Sequence, residues 1–244
     1  MSKLLIKDKD IVVPGECLAE GMDYLPGLGT YREGEKILAS RLGLVSIDGR
    51  AIKLIALSGR YLPKIGDTII CPVKEILMSG WMLDTNSAYH AMLGMKEATS
   101  DFIPKGANLT QYFNFGDYIV CKITNVTSQR LVDVTVRGPG LRKLKDGRVI
   151  TVNTHKVPRI IGKKGSMVSM IKQATDCKII VGQNGVIWLQ GEDPKMELLT
   201  VETIKKIEKE SHISGLTDRI KGYLEKATGK KITSEVVGEQ NGVQ

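Results

Sequence analysis

One stretch near the carboxyl end of the sequence constrains the fold more than any other. It begins with a strand pattern at residues 148–152 and continues through apolar residues at helical spacing on both sides of residues 162–165, Gly-Lys-Lys-Gly. Two more strand patterns follow at residues 178–181 and 186–189, and a long amphipathic helix starts at Pro194. The stretch therefore predicts the order β-α-α-β-β-α, with a tight, glycine-bounded loop between the first two helices.

A loop with glycine at both ends lets the backbone come close to a sugar-phosphate chain, and the helix after it presents free N–H groups. A G-x-x-G match alone is a weak signal in a chain with 26 glycines, but here it lies between two predicted helices. The stretch resembles the KH domain, an RNA-binding module. The resemblance implies that Arg159, Gly162, Lys163, Lys164 and Gly165 contact RNA. A KH fold that serves only as a packing module is the alternative.

A second match to the same pattern lies between the two later strands, at residues 182–185, Gly-Gln-Asn-Gly. This segment predicts a β-hairpin turn in which Asn184 and Gly185 supply positive φ angles, with Gly182 at its start. The KH domain is expected to span residues 147–232, including a further amphipathic helix at 216–226. Residues 233–244 are expected to form a polar tail.

The segment 63–146 predicts five short strands, a number that suits an OB-type barrel. Such barrels bind single-stranded nucleic acid with aromatic side chains that stack on bases and cations that follow the phosphates. The predicted strands are residues 66–73, 80–84, 88–93, 117–123 and 131–137. Seven of the twelve aromatic residues of the chain fall between Trp81 and Tyr118, inside this segment.

Three sequence blocks of this segment, Gly-Asp-Thr-Ile at 66–69, Gly-Trp-Met-Leu-Asp at 80–84 and Gly-Asp-Tyr-Ile-Val-Cys-Lys-Ile at 116–123, resemble the S-one-type RNA-binding domain. The resemblance implies that the RNA face carries the side chains of Trp81, Tyr89, His90, Lys122, Arg130 and Arg137. Two alternatives stay open from the residues alone. Trp81 fits the barrel core as well as a surface, and His90 fits an ordinary surface histidine because no catalytic partner accompanies it at a recognisable spacing.

The first segment, residues 1–62, predicts a small all-β domain. Its strand patterns lie at residues 10–16, 36–40, 42–47 and 51–57, and Asp48-Gly49 is a hairpin signal between the last two. The Gly-Leu-Gly stretch at 27–29 is not followed by a helix, so a nucleotide-binding loop is not expected there.

Charge and cysteine content narrow the function classes. The net charge is +8, and residues 148–233 hold 16 basic and 9 acidic side chains, which suits a phosphate-bearing partner or an ordinary lysine-rich surface. The four cysteines lie far apart without a C-x-x-C pair, so we expect neither a metal site nor disulfides. We also expect no cofactor, no membrane segment and no catalytic residues, since no apolar run or paired-carboxylate constellation is present. A cytoplasmic location follows as an expectation.

The order of the predicted elements along the whole chain indicates a multidomain protein, mainly β plus α+β. It contains a small β domain, a five-stranded barrel and a KH domain. This order, with the Gly-x-Asn-Gly turn, resembles archaeal cap subunits of the RNA exosome, of the ribosomal-RNA-processing-protein-four type. The resemblance implies a non-catalytic subunit, present in three copies, whose first domain docks on a hexameric ring of ribonuclease-PH-type subunits. It would feed single-stranded RNA to that phosphorolytic 3′-to-5′ exoribonuclease, with a preference for poly(A). A stand-alone RNA-binding regulator of ribosomes or messenger RNA is the alternative.

Overall fold

The computed structural model describes residues 3–101, 103–104, 106–211, 213 and 215–230. The chain divides into two compact units, of which the first ends at Gly59 and the second begins at Arg60. Tyr61 was expected in the first domain, but it belongs to the second unit because its side chain is buried in the barrel core. The expected polar tail, residues 233–244, lies outside the described residues.

The described part of the first unit forms eight short strands in two four-stranded sheets. The strands are β1 (Lys3–Leu4), β2 (Ile11–Val12), β3 (Cys17–Glu20), β4 (Leu25–Pro26), β5 (Thr30–Glu33), β6 (Lys36–Ala39), β7 (Gly43–Asp48) and β8 (Ala51–Ala56). The sheet orders are β1-β3-β6-β5 and β2-β7-β8-β4. Leu18, Ile37, Val45 and Ile52 form the centre of its core. The predicted all-β unit is confirmed.

The second unit begins with a closed five-stranded barrel. Its strands are β9 (Thr68–Leu77), β10 (Gly80–Asp84), β11 (His90–Gly94), β12 (Tyr118–Val126) and β13 (Val132–Thr135). They follow the order β13-β11-β10-β9-β12, and pairing of β12 with β13 closes the barrel. The β11–β13 pairing is parallel and the others are antiparallel. The expected OB-type barrel is therefore confirmed.

A short helix and a two-residue strand accompany the barrel. Helix α1 (Met95–Ala98) follows β11 directly, and β14 (Arg142–Lys143) pairs with the first half of β12. Because β9 pairs with the same residues of β12, β14 must lie on the other side of that strand. The connector to the next domain thus adds a short strand to the sheet, beside the first half of β12.

The KH domain has the predicted order β-α-α-β-β-α. Its elements are β15 (Arg148–Thr151), α2 (Val157–Ile161), α3 (Ser166–Thr175), β16 (Lys178–Val181), β17 (Val186–Gln190) and α4 (Pro194–Glu210), followed by α5 (Leu216–Thr228). The sheet order is β15-β17-β16. Helix α4 begins where the Asp193 carboxylate accepts a hydrogen bond from the Lys195 N–H, with Pro194 in its first turn. The apolar faces of the helices cover one side of the sheet.

The barrel and the KH domain share a small hydrophobic core of their own. Ile70 and Val120 from the barrel pack with Val186 and Trp188 from β17, and Leu144 of the connector completes the cluster. The Trp188 indole N–H donates to the Asp146 carbonyl at 2.7 Å. These contacts hold the two domains in one arrangement and so determine the surfaces between them.

Among the described residues, no helix is long and apolar enough to cross a membrane.

Candidate nucleic-acid interface

The loop between α2 and α3 needs glycine at both ends, for different reasons. Gly162 ends α2 with a φ of +76°, and a Cβ there would lie 2.7 Å from the backbone N of Met167. Gly165 has a φ of +79° at the start of α3, and a Cβ there would meet nothing within 4 Å. The first glycine therefore permits close packing inside the domain, whereas the second leaves the backbone open to a molecule from outside.

The cations of this loop lie on two sides of it. Lys164, with a φ of +53°, lines a cleft between the KH domain and the barrel, together with Gly165. Arg159, Gly162 and Lys163 line a separate cleft of about 620 Å³ beside the segment that joins α4 to α5. The predicted KH set is thus divided between two surfaces, and the open Gly165 belongs to the first.

We call the first of these surfaces the inter-domain cleft. It measures about 910 Å³. One wall consists of the end of α2 and the exposed side of α3, and strand β16 forms the floor. The opposite wall comes from the barrel and its connector: Thr68, Val120, Pro139, Gly140, Leu141 and Arg142. The KH groove is therefore closed on one side by the neighbouring domain.

The predicted stacking role of Trp81 is wrong. Trp81 is 0% exposed, its indole N–H donates to the Phe113 carbonyl at 2.9 Å, and its ring meets that of Phe113 edge to face at 5.2 Å. A ring with both faces inside the barrel core cannot stack on a base. Of the two interpretations that the residues left open, the barrel core is the one that holds.

The two other ring-bearing residues predicted for the barrel face, Tyr89 and His90, lie at or near the surface without forming a stacking platform. Tyr89 is partly buried against the barrel core, and His90 lies on β11 with Nε2 at 3.1 Å from Lys74 Nζ. The outward side of β10 and β11 instead presents the opposed pair Met82 and Met92, both half-buried. The part of the barrel expected to bind bases through aromatic rings therefore offers thioether side chains.

The three predicted barrel cations are not brought together. Lys122 is exposed on β12 directly opposite Thr68, which lines the inter-domain cleft. Arg130 lies exposed in the loop after β12, with a φ of +64°. The guanidinium of Arg137 donates to the Thr99 carbonyl at 2.9 and 2.7 Å. Only Lys122 is placed beside the cleft that holds Gly165.

A second cleft, which we call the barrel cleft, lies on the other side of the connector and measures about 600 Å³. Arg137, Tyr112 and Lys143 line it, and Leu141 and Arg142 line both this cleft and the inter-domain cleft. Lys143 is tied down by a hydrogen bond to Asp117. Burial raises the pKa of the Asp117 carboxyl, but the bonds from Lys143 and from the Asn114 N–H outweigh burial and hold that pKa below its usual range.

Sequence reasoning missed the cations that complete the inter-domain cleft, Arg142 and Lys172. Lys172 lies on α3 and is exposed, so a helical wheel placed on the predicted helix would have indicated it. Arg142 belongs to a strand of two residues in the connector, and the strand pattern of so short a segment gives no signal.

Within the described residues, no group of three or more His, Cys, Asp and Glu side chains could hold a metal ion.

The second glycine-bounded segment is a hairpin turn, as predicted, and it also joins the domains. The Gly182 N–H donates to the Val186 carbonyl at 2.8 Å, and Gly185, but not Asn184, has a positive φ. The buried Asn184 amide donates to the Ile70 carbonyl at 2.8 Å and to the Thr85 carbonyl at 3.2 Å. Its oxygen accepts the Ile70 N–H at 3.3 Å. This side chain therefore fastens the KH hairpin to the barrel backbone.

Two family models match parts of the chain. One, described as a KH domain, matches residues 147–195. The other, described as the N-terminal region of the exosome complex exonuclease RRP4, matches residues 11–48. The two matches fall on the glycine-loop domain of the second unit and on the small β unit, respectively.

Curated relatives align over nearly the whole chain. "Exosome complex component Rrp4" of Methanothermus fervidus is 44% identical over 91% of this chain and 97% of its own. The proteins of the same description from Methanothermobacter thermautotrophicus and Pyrococcus furiosus are 41% and 40% identical, over 93% and 92% of this chain and 71% and 86% of their own. A crystal structure described as an exosome complex RNA-binding protein is 34% identical, with a TM-score of 0.63 over 69% of this chain and 97% of its own.

Proposed function

The chain belongs to the Rrp4 family of archaeal exosome components, and from this premise we propose that it is an RNA-binding cap subunit that delivers single-stranded RNA to an exoribonuclease ring. The observation that carries the proposal is the glycine loop at residues 162–165. Its open Gly165 and the free Lys164 face a cleft lined by further cations. Backbone N–H groups at a helix start combined with lysines suit the phosphates of a nucleic acid.

The proposed role is non-catalytic. The family name and the two RNA-binding folds support binding, and the chemistry of degradation would belong to the partner, a hexameric ring of ribonuclease-PH-type subunits that uses phosphate to remove nucleotides from the 3′ end. Three copies of the chain on one ring, a preference for poly(A) and a cytoplasmic location belong to the same proposal. In such an arrangement, weak sites on the copies act together because they share one RNA strand.

Docking on the ring is proposed for the first unit, whose outer sheet face carries an apolar row. Ile11 of β2 is paired with Leu44 of β7, which is paired with Ile55 of β8, so the three side chains lie side by side on one face. Ile11 and Ile55 are 66% and 59% exposed. An exposed row of aliphatic side chains across three strands is typical of a surface that another protein covers.

The experiment compares the chain alone, the ring subunits alone and the mixture, with single-stranded RNA in phosphate. We expect no shortening of RNA by the chain alone and faster capture and degradation by the mixture. Ile55→Asp should abolish co-sedimentation with the ring, while Met22→Asp, an exposed apolar residue outside the row, should not. RNA shortening by the isolated chain, or a chain that binds RNA but never the ring, would overturn the proposal; the second outcome would favour a stand-alone regulator.

A further inference from the structure

We propose that one single strand of RNA is held jointly by the barrel and the KH domain in the inter-domain cleft, with Arg142 and Lys172 as RNA-binding residues. This inference rests on the proposed function, in that it assumes that the chain binds RNA. It differs from two modules that bind separate stretches of RNA, because both walls of one cleft would contact the same few nucleotides.

Arg142 lies at the boundary between the barrel and the KH domain. Arg142 is paired with Val120 of β12, so its side chain lies on the barrel's outer face, which carries the KH domain. It is exposed, and it lines both the inter-domain cleft and the barrel cleft. The two clefts therefore meet at this residue, and a strand that leaves one cleft passes Arg142 as it enters the other.

Both walls of the inter-domain cleft carry cations. Arg142 comes from the barrel connector, while Lys164 and Lys172 come from the opposite wall, and the lining contains no acidic residue. None of the three takes part in a salt bridge with another described residue. Lys122 extends the set beyond Thr68. Unpaired cations on two facing walls fit a chain of phosphates, because each linkage carries a negative charge that a nearby cation can neutralise.

The other side chains of the cleft determine how strongly binding should depend on the base sequence and on salt. The cleft presents aliphatic side chains, such as Ile161, Val168 and Ile179, and no aromatic ring. Aliphatic surface packs against any base but does not offer the stacking that a ring provides. Binding in this cleft should therefore tolerate sequence and depend strongly on salt, as expected for a subunit that passes a strand onward.

The test measures the affinity of the full chain for a fluorescent single-stranded RNA of about six nucleotides, long enough for one cleft only. Arg142→Gln and Lys172→Gln are compared with Arg50→Gln, in an exposed turn of the first unit, and Lys205→Gln, on the exposed side of α4. Each cleft variant should weaken binding about fivefold and lower the slope of log affinity against log salt by about 0.7, the value of one lost phosphate contact. The controls should match the unchanged chain.

The possible outcomes separate this inference from the proposed function. If the unchanged chain binds no RNA, the proposed function fails as well. If Lys164→Gln weakens binding but Arg142→Gln does not, the KH domain binds RNA without the barrel, and the shared cleft is wrong while the proposed function stands. If neither Lys164→Gln nor Arg142→Gln alters binding of the short RNA, the cleft is not the site. Melting curves of each variant show whether the fold is intact, so a loss of binding with an unchanged melting temperature is attributed to the contact.

Discussion

The KH domain contains two four-residue segments that begin and end with glycine, and the structure uses them in opposite ways. The segment 162–165 lies at the surface, with exposed lysines in its middle and open space beside Gly165. The segment 182–185 is turned inward, and its Asn184 is 0% exposed and bonded to the barrel backbone. The first segment is open to a molecule from outside, whereas the second holds two domains together.

The two middle residues of each segment determine whether the segment stays at the surface or packs against the barrel. Lysine side chains are strongly hydrated and costly to bury, so they keep the first loop at the surface. An asparagine amide offers both donors and an acceptor, and the barrel backbone at Ile70 and Thr85 provides the matching groups. Glycine at each end makes the tight turn possible but does not determine its use.

The largest effect is expected for Asn184→Ala, which tests the inward segment. The substitution removes three hydrogen bonds to buried backbone groups and should lower the free energy of unfolding by about 3 kcal/mol or more. Urea unfolding measures the change. The matched control is Gln183→Ala, because this substitution keeps the hydrogen bond from the Gln183 backbone N–H to the Thr68 carbonyl. Equal stability of the two variants would remove the proposed joining role of Asn184.

A smaller effect is expected within the outward segment, where its two glycines should differ. Gly162→Ala places a Cβ against Met167 in addition to the backbone strain, so we expect a loss of about 2 kcal/mol in unfolding free energy. Gly165→Ala has only the strain, about 1 kcal/mol, but should weaken RNA binding because its methyl group occupies the open side of the loop. If Gly162→Ala is the less damaging to stability, the assignment of the packing role is wrong.

The cations of the outward segment should affect binding and not stability. Lys163→Asp combined with Lys164→Asp should weaken binding of single-stranded RNA about tenfold, equivalent to about 1.4 kcal/mol, because two positive charges become negative. The melting temperature should stay near that of the unchanged chain, since both lysines are exposed. Fluorescence anisotropy at two salt concentrations measures the first quantity. Unchanged affinity would mean that this segment, like the inward one, serves only structure.

The smallest effect is expected for the ion pair between Lys143, which belongs to the connector, and Asp117. The pKa of the Asp117 carboxyl is lowered in the folded chain, so its contribution to stability is complete above the ordinary carboxyl pKa and is lost as the pH falls through the lowered value. Lys143→Met should therefore cost less than about 1 kcal/mol at neutral pH, and the difference from the unchanged chain should shrink on acidification. A difference that grows in acid would contradict this account.

Much of the fold follows from periodicity in the sequence. The strands β10 and β16 have the predicted bounds. The KH order was predictable because apolar spacing changes from two residues in β15 to between three and four residues on both sides of the glycine loop. Strands of two residues, such as β1 and β4, were missed because long-range pairing rather than local pattern defines them. The same reason explains why β14, and with it Arg142, gave no signal.

The site was harder to predict than the fold. Residues 80–84 alternate between the two faces of their strand. A charged residue such as Asp84 is expected on the outward face, and Trp81 then falls on the inward face. The pattern therefore indicated the buried position of the ring. Family resemblance favoured the surface instead. The grouping of Arg142 with Lys164 across a cleft depends on how Asn184 and the small shared core fix the two domains, and no local pattern reports such an arrangement.

Photo-crosslinking tests most directly the claim that the outward glycine loop and its cleft bind RNA. The full chain is irradiated with single-stranded RNA that contains a photoreactive uridine, and the attached peptides are identified by mass spectrometry. The account predicts crosslinks in residues 161–172 and in the connector 139–142, which face each other across the inter-domain cleft. Crosslinks confined to the outer face of β10 and β11, around Met82 and Met92, would contradict it.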